Sequence, residues 1–90
     1  MYIPAFTKQF KKDIKRAEKQ RRDIEQFKLI ARKLLAEEVL DPIFRDHKLT
    51  GNYKNRRECH IASDWLMIYK INGERIIFER ISSYSELFSK

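Results

Sequence analysis

Between Arg56 and Arg80 the chain reads as three short apolar runs, RRECHI, WLMIYKI and ERIIFER, separated by Ser63-Asp64 and by Asn72-Gly73. Runs of this length, rich in β-branched and aromatic residues and bounded by turn formers, predict strands. Asn72-Gly73 is a strong hairpin signal, because both residues tolerate the positive φ of a two-residue type I′ turn. With that pair at the centre, Ile71 opposes Glu74, Tyr69 opposes Ile76, Met67 opposes Phe78 and Trp65 opposes Arg80. Opposed residues share a face, and faces alternate along a strand. Trp65, Met67, Phe78 and Arg80 are therefore expected on one side, with Leu66, Ile68 and Ile77 on the other. A two-residue turn at Ser63-Asp64 sets His60 opposite Met67, on the face of Arg80. A three-residue turn sets it on the opposite face, since a one-residue slip inverts every side chain.

Upstream the period becomes helical. Phe6, Phe10, Ile14 and Ala17 form a narrow apolar stripe on a helix that Thr7 can cap. Ile24, Phe27, Ile30, Ala31, Leu34 and Leu35 predict a second, core-facing helix from near Asp23 to about Glu38. Neither contains Gly or Pro. Tyr2 to Phe6 is short and apolar and holds Pro4, which suits an edge strand. Asp41-Pro42 ends the helical region, Phe44 to Asn55 has no sustained period, and Gly51-Asn52 marks a turn. Ser83 and Glu86 fit a capping box that starts a last helical turn through Leu87 and Phe88. The predicted fold is α+β, in the order β-α-α-β-β-β. A helical hairpin packs on one face of a small, mainly antiparallel sheet, and a short helical turn ends the chain. The helices are expected on the face of Cys59, Ile61, Leu66, Ile68 and Ile77. His60 and Arg80 would then lie on a basic, partly open face.

Length and charge narrow the function. Residues 1–90 make one domain, which buries roughly 60–65% of its unfolded surface in a single modest core. The formal net charge is +7, which points to a polyanion or an acidic protein as partner. Lys8, Lys11, Lys12, Lys15 and Arg16 crowd the first helix, either as a solvated face or as a grip on an anion. Cys59 is the single cysteine; it permits no internal disulfide, suits a reducing cytosolic setting and reads as a small apolar strand residue. No apolar run approaches membrane-spanning length, and no signal-peptide pattern opens the chain, so no membrane partner is expected.

RNA cleavage is one reaction that such a face could run. Attack of a ribose 2′-oxygen on the adjacent phosphorus needs a base, cationic donors for charge on the phosphoryl oxygens, and an acid for the leaving 5′-oxygen. Histidine suits the proton transfers and arginine the phosphate. The two histidines, His47 and His60, lie in the same half of the chain as Arg80 and a cluster of cations including Lys54, Arg56 and Arg57. Each has a plainer reading. His60 can be a half-buried polar strand residue, His47 an exposed loop residue, Asp64 a turn former, Trp65 a core side chain, and Arg80 its cation–π or ion-pair neighbour. No metal-ligand spacing, Gly-rich phosphate loop, Ser-His-Asp order or Cys-His pair stands out, so neither metal nor cofactor is expected.

The runs RDHKLTGNYKNRRECHIASDWLMIYKI and FERISSYSELF carry the patterns DHxLxG, RxxHxxxDWLxxYK and FxRxxxxxxLF. In these the C-terminal half closely resembles the YafQ branch of the RelE-like bacterial toxins; the N-terminal helices agree in length, charge and pattern. The resemblance implies the helix-hairpin-on-sheet fold and a type II toxin–antitoxin pair. It implies a metal-independent endoribonuclease that cuts mRNA in the ribosomal A site. Its partners would be the ribosome, mRNA and a cognate acidic antitoxin of ribbon-helix-helix type, with operator DNA reached only through that antitoxin, in the bacterial cytoplasm. By motif position His47, His60, Asp64 and Arg80 match the family's functional residues, and Trp65 and Phe88 its active-site rim. Tyr84 stands where these toxins usually carry a histidine. A phenol is a poor proton acceptor at neutral pH, so Tyr84 is expected to orient the 2′-hydroxyl or phosphate while His47 and His60 handle protons. Lys8, Lys11, Lys12, Lys15, Arg16, Lys54 and Arg56 would contact RNA. A non-catalytic binding module and a ParE-type gyrase toxin are the alternatives, and neither needs the histidine pair.

Overall fold

The computed structural model describes residues 1–51 and 55–88. Its elements are β1 (Ile3–Phe6), α1 (Lys8–Lys19), α2 (Ile24–Leu35), a 3₁₀ turn (Pro42–Phe44), β2 (His47–Lys48), β3 (Arg57–Ala62), β4 (Trp65–Asn72), β5 (Arg75–Ser82) and α3 (Tyr84–Phe88). Among the described residues five strands form one sheet in the order β1-β5-β4-β3-β2. Only the β1–β5 pair among them is parallel. The α+β fold is the one that the hydrophobic pattern predicts, with one addition: His47–Lys48, in a stretch without sustained period, adds an edge strand beside β3.

Local signals set most boundaries. Thr7 accepts the Phe10 N–H at 3.0 Å and so caps α1. Asp23 caps α2 through the Gln26 N–H. That helix stops at Leu35, short of Glu38, because Glu37 takes a left-handed φ of 62°. The Asp41 side chain caps the 3₁₀ turn at Ile43. Gly51 is left-handed as a turn residue should be; Asn52 and Lys54 lie outside the described residues.

The strand register departs from the sequence expectation in three places. The hairpin turn is centred on Gly73-Glu74, with Asn72 paired to Arg75. Gly73 (φ 60°) is left-handed and Glu74 is not, which excludes type I′. This two-residue slide leaves every side chain on its expected face. Two β-bulges do not. One falls between His60 and Ala62, so His60 opposes Leu66 and Cys59 opposes Met67. The other gives β5 an extra residue at Glu79, so Phe78 opposes Tyr69 while Arg80 opposes Ile68. Each bulge inverts the facing of the strand residues beyond it.

The helices consequently cover Cys59, Ile61, Trp65, Met67, Tyr69, Ile76, Phe78 and Ile81, and not the expected Leu66, Ile68 and Ile77. Trp65 is 1% exposed in that core, which corrects its expected place at an RNA-binding rim. Phe78 is the hub: its ring lies 5.2 Å from Phe6, 5.8 Å from Phe10, 6.1 Å from Phe27 and 6.5 Å from Tyr69. Leu66 and Ile68 form a smaller cluster on the opposite face with Leu87 of α3, Leu49 and Phe88. His60 and Arg80 share this second face by register, as expected, although two bulges put them there. No described helix is long and apolar enough to cross a membrane.

Helix α3 docks through polar contacts. Glu86 accepts from the Ser82 hydroxyl at 2.7 Å and the Ser83 hydroxyl at 3.0 Å, and Ser83 accepts the Glu86 N–H, completing the expected capping box. Arg16 of α1 forms an ion pair with the same carboxylate. The Ser82 and Ser83 hydroxyls, with the Arg16 charge adding to them, hold the Glu86 carboxyl down at about 2.

Two outcomes test this packing. Phe78→Ala should cost about 3–5 kcal/mol in denaturant titration, against a total of roughly 5–15 kcal/mol for a domain. Because Glu86 is depressed in the folded state, its stabilisation of α3 is full above its ordinary value of about 4.5 and is lost as pH falls towards about 2. The protection of the Leu87 amide, which donates to Ser83 O, against hydrogen exchange, taken relative to the intrinsic rate at each pH, should fall across that window and lose this dependence in Glu86→Gln.

Candidate active site

The uncovered face of β2 and β3 brings the two histidines together. Strand β2 sets His47 opposite Glu58, and His60 lies two residues beyond Glu58 on the same face. Glu58 is buried, with its side chain 7% exposed. Its Oε1 lies 2.9 Å from His60 Nε2 and 3.7 Å from His47 Nε2. An ionised carboxylate can only accept, so His60 Nε2 carries the hydrogen of that bond. His47 Nδ1 lies 2.7 Å from the Arg45 carbonyl and must donate to it, which leaves Nε2 as the nitrogen facing Glu58. The imidazole centroids are 6.5 Å apart.

His47 is aimed by its predecessor. Asp46 accepts from the Tyr69 hydroxyl at 2.6 Å and from Arg57 Nε at 3.2 Å, tying the loop to the helix-covered side of the sheet. Burial disfavours charge on Arg57, but the Asp46 and Tyr69 contacts outweigh it and its pKa is raised. Burial, reinforced by the Asp46 carboxylate, also pushes the Tyr69 hydroxyl up, so it stays a donor. The DH pair thus divides its work, with Asp46 anchoring one face and His47 presented on the other.

Tyr84 and Phe88 of α3, their rings 5.0 Å apart, wall an open cleft of about 470 Å³ with Arg45, His47, Leu49, Glu58 and His60. Asp64, in the β3–β4 turn, accepts the Tyr84 N–H at 3.2 Å and anchors the start of α3. Arg80 stands outside this lining; its guanidinium donates to Asp13 of α1 through Nε at 2.8 Å and Nη2 at 3.3 Å. Lys8, Lys11, Lys12 and Lys15 are exposed on α1, whereas Arg16 is paired with Glu86 and Arg56 with Glu79. Lys54 lies outside the described residues. Cys59 is buried, and burial, then the Asp46 and Glu58 charges, push its thiol up to about 12, which removes it as a nucleophile. Among the described residues no three His, Cys, Asp or Glu side chains group as a metal site.

Sequence reasoning missed Glu58 and Asp13. A signal existed for each. Glu58 and His60 are two apart on one strand, hence on one face. Asp13 falls three after Phe10 and four before Ala17, inside the apolar stripe and not on the basic face.

Comparison with known proteins shows the same fold and a family. The family model for the bacterial toxin of type II toxin–antitoxin systems, YafQ, matches residues 2–89. The mRNA interferase toxin YafQ of Escherichia coli K12 is 32% identical over 84 residues, covering 92% of this chain and 91% of that protein. The toxin in a crystal structure of the E. coli DinJ-YafQ complex superposes with a TM-score of 0.91 at 30% identity, covering 99% of this chain and all of that one. A metal-bound toxin from Helicobacter pylori superposes equally well, at 0.91 and 34% identity, over 98% of this chain and all of its own. With the fold and a family match over residues 2–89 in agreement, the chain belongs to the YafQ family of type II toxin–antitoxin toxins.

Proposed function

We propose that the His47–Glu58–His60 cleft is where this toxin, an mRNA interferase, cuts mRNA held in the ribosomal A site. The observation that carries the reading is the buried Glu58 carboxylate set between two imidazoles beneath an aromatic wall. In the reaction a ribose 2′-oxygen bonds to the adjacent phosphorus and the bond from phosphorus to the 5′-oxygen breaks. One imidazole takes the 2′-hydroxyl proton and the other supplies a proton to the departing 5′-oxygen. The product end is a 2′,3′-cyclic phosphate or, after hydrolysis, a 3′-phosphate.

The other residues divide the remaining tasks. Glu58 fixes the tautomer and ring plane of His60, and the Arg45 carbonyl does the same for His47. Arg80 offsets charge on the phosphoryl oxygens. The Tyr84 hydroxyl orients the 2′-hydroxyl or phosphate, and its ring, with Phe88, offers a stacking surface for an unpaired base. Asp64 serves the site by holding the Tyr84 backbone. Lys8, Lys11, Lys12 and Lys15 grip ribosomal RNA, and Arg16, Arg56 and Lys54 are further RNA contacts. The reaction places the toxin in the bacterial cytoplasm. The partner that silences it is an acidic antitoxin of ribbon-helix-helix type, through which alone it reaches operator DNA. The relative crystallised with DinJ supports a protein partner.

His60→Ala should slow single-turnover cleavage of mRNA on programmed ribosomes by about 10²-fold or more. Tyr84→Phe should slow it roughly 3- to 10-fold, the worth of one hydrogen bond. Cleavage should persist with 1,10-phenanthroline in magnesium buffer. Replacing Lys11, Lys12 and Lys15 together by Ala should weaken ribosome binding and flatten its salt dependence. Growth arrest with intact mRNA and damaged DNA would replace this reading with the gyrase toxin, and arrest that survives both His60→Ala and Arg80→Ala would replace it with a binding module.

A further inference from the structure

We infer that Asp13, a buried carboxylate on the basic helix α1, is the positioning residue for Arg80 and ties the aim of the active-site arginine to α1. The inference rests on the reading of this toxin as an mRNA-cleaving enzyme. Beyond Phe78, β1 no longer runs beside β5, and α1 takes its place. There Asp13, 2% exposed, accepts four hydrogen bonds. Oδ2 takes Arg80 Nε at 2.8 Å and the Ile81 backbone N–H at 3.1 Å; Oδ1 takes Arg80 Nη2 at 3.3 Å and Gln9 Nε2 at 3.1 Å.

Structure alone asks for only part of this. A neutral acceptor would satisfy the Ile81 N–H. The negative charge and the paired, two-oxygen grip on Nε and Nη2 do something more specific: they fix the plane of the guanidinium, since a planar fork bound at two points cannot rotate about its stem. The Glu79 bulge makes the grip possible. It sets Arg80 opposite Ile68 on the cleft's face while Ile81 remains in the core beside Asp13. Burial strengthens the hold, because a carboxylate out of water is costly unless its partners stay in place. Lys12 and Lys15 flank Asp13 on the same helix, so the surface proposed to meet ribosomal RNA and the group that aims Arg80 belong to one rigid element.

The test is single-turnover cleavage on programmed ribosomes with wild type, Asp13→Asn, Arg80→Ala and the double variant, each checked by circular dichroism and melting. Asp13→Asn should lower the rate at saturating ribosomes roughly 10- to 100-fold, the effect of a misplaced catalytic group. The ribosome concentration giving half the maximal rate should move less than about twofold, because the lysines are untouched. The double variant should cut no more slowly than Arg80→Ala. An unchanged rate in folded Asp13→Asn, a change confined to ribosome affinity, or additive losses in the double variant would overturn the inference while leaving the mRNA-cleaving reading intact. A wild-type chain that cuts no mRNA overturns both. If Asp13→Asn does not fold, Gln9→Ala, an exposed change that loosens Asp13, reads the same link. It should cost roughly threefold in saturating rate and nothing in the Arg80→Ala background; no loss overturns the inference.

Discussion

Where β1 ends beside Phe78, β5 continues with its outer edge facing α1, and one carboxylate occupies the position a further strand would fill. Asp13 takes the Ile81 backbone and the Arg80 guanidinium together. A helix seldom satisfies a sheet edge, because its own backbone bonds point along its axis. A short acidic side chain at the contact solves that problem. Thr7 at the head of the same helix assists, donating its hydroxyl to the Glu79 carbonyl at 2.9 Å while capping α1. Helix position, bulge and arginine orientation are thus fixed by the same few hydrogen bonds. The aromatic cluster around Phe78 supplies the burial that keeps them dry.

The site face is built on a different principle. Its apolar cluster is small, with Leu66 and Ile68 under Leu87, Leu49 and Phe88. Polar contacts carry much of the docking: Asp64 to the Tyr84 N–H, Ser82 and Ser83 to Glu86, and Glu86 across to Arg16 of α1. A wall held this way opens at lower cost than a core element, which suits a cleft proposed to admit a nucleotide. Glu58 is the exception. It is buried and bound, so the histidine pair keeps its orientation while the aromatic wall can move.

Much of the fold was legible because its signals are local. Thr7, Asp23 and the Ser83–Glu86 box act within one helical turn, Pro4 marks an edge strand, and Ser63-Asp64 forms the two-residue turn it suggests. The bulges at Ile61 and Glu79 were not legible, since neither residue has composition that distinguishes an inserted position from a paired one. Gly73-Glu74 prevailed over Asn72-Gly73 because Asn72 joins the ladder and glycine alone supplies the left-handed position. In the candidate site, His60 and Arg80 could be assigned to one face. Glu58 and Asp13 escaped notice because an acidic residue on an alternating strand, or among lysines on a helix, looks solvated until its donors are seen. The fifth strand escaped for want of length: two residues carry no period.

The two bulges also bear on how this site can change. A strand is a parity device, in which each residue is either inside or outside and a lost residue exchanges the two. His60 and Arg80 reach one face of the sheet by way of bulges, one on each of two different strands. The face proposed for catalysis is therefore encoded by chain length as much as by residue type, and shortening β3 or β5 by one residue at a bulge would turn a polar side chain towards the aromatic core. Point substitution can retune this cleft gradually, but its strands leave it almost no freedom to lose a residue.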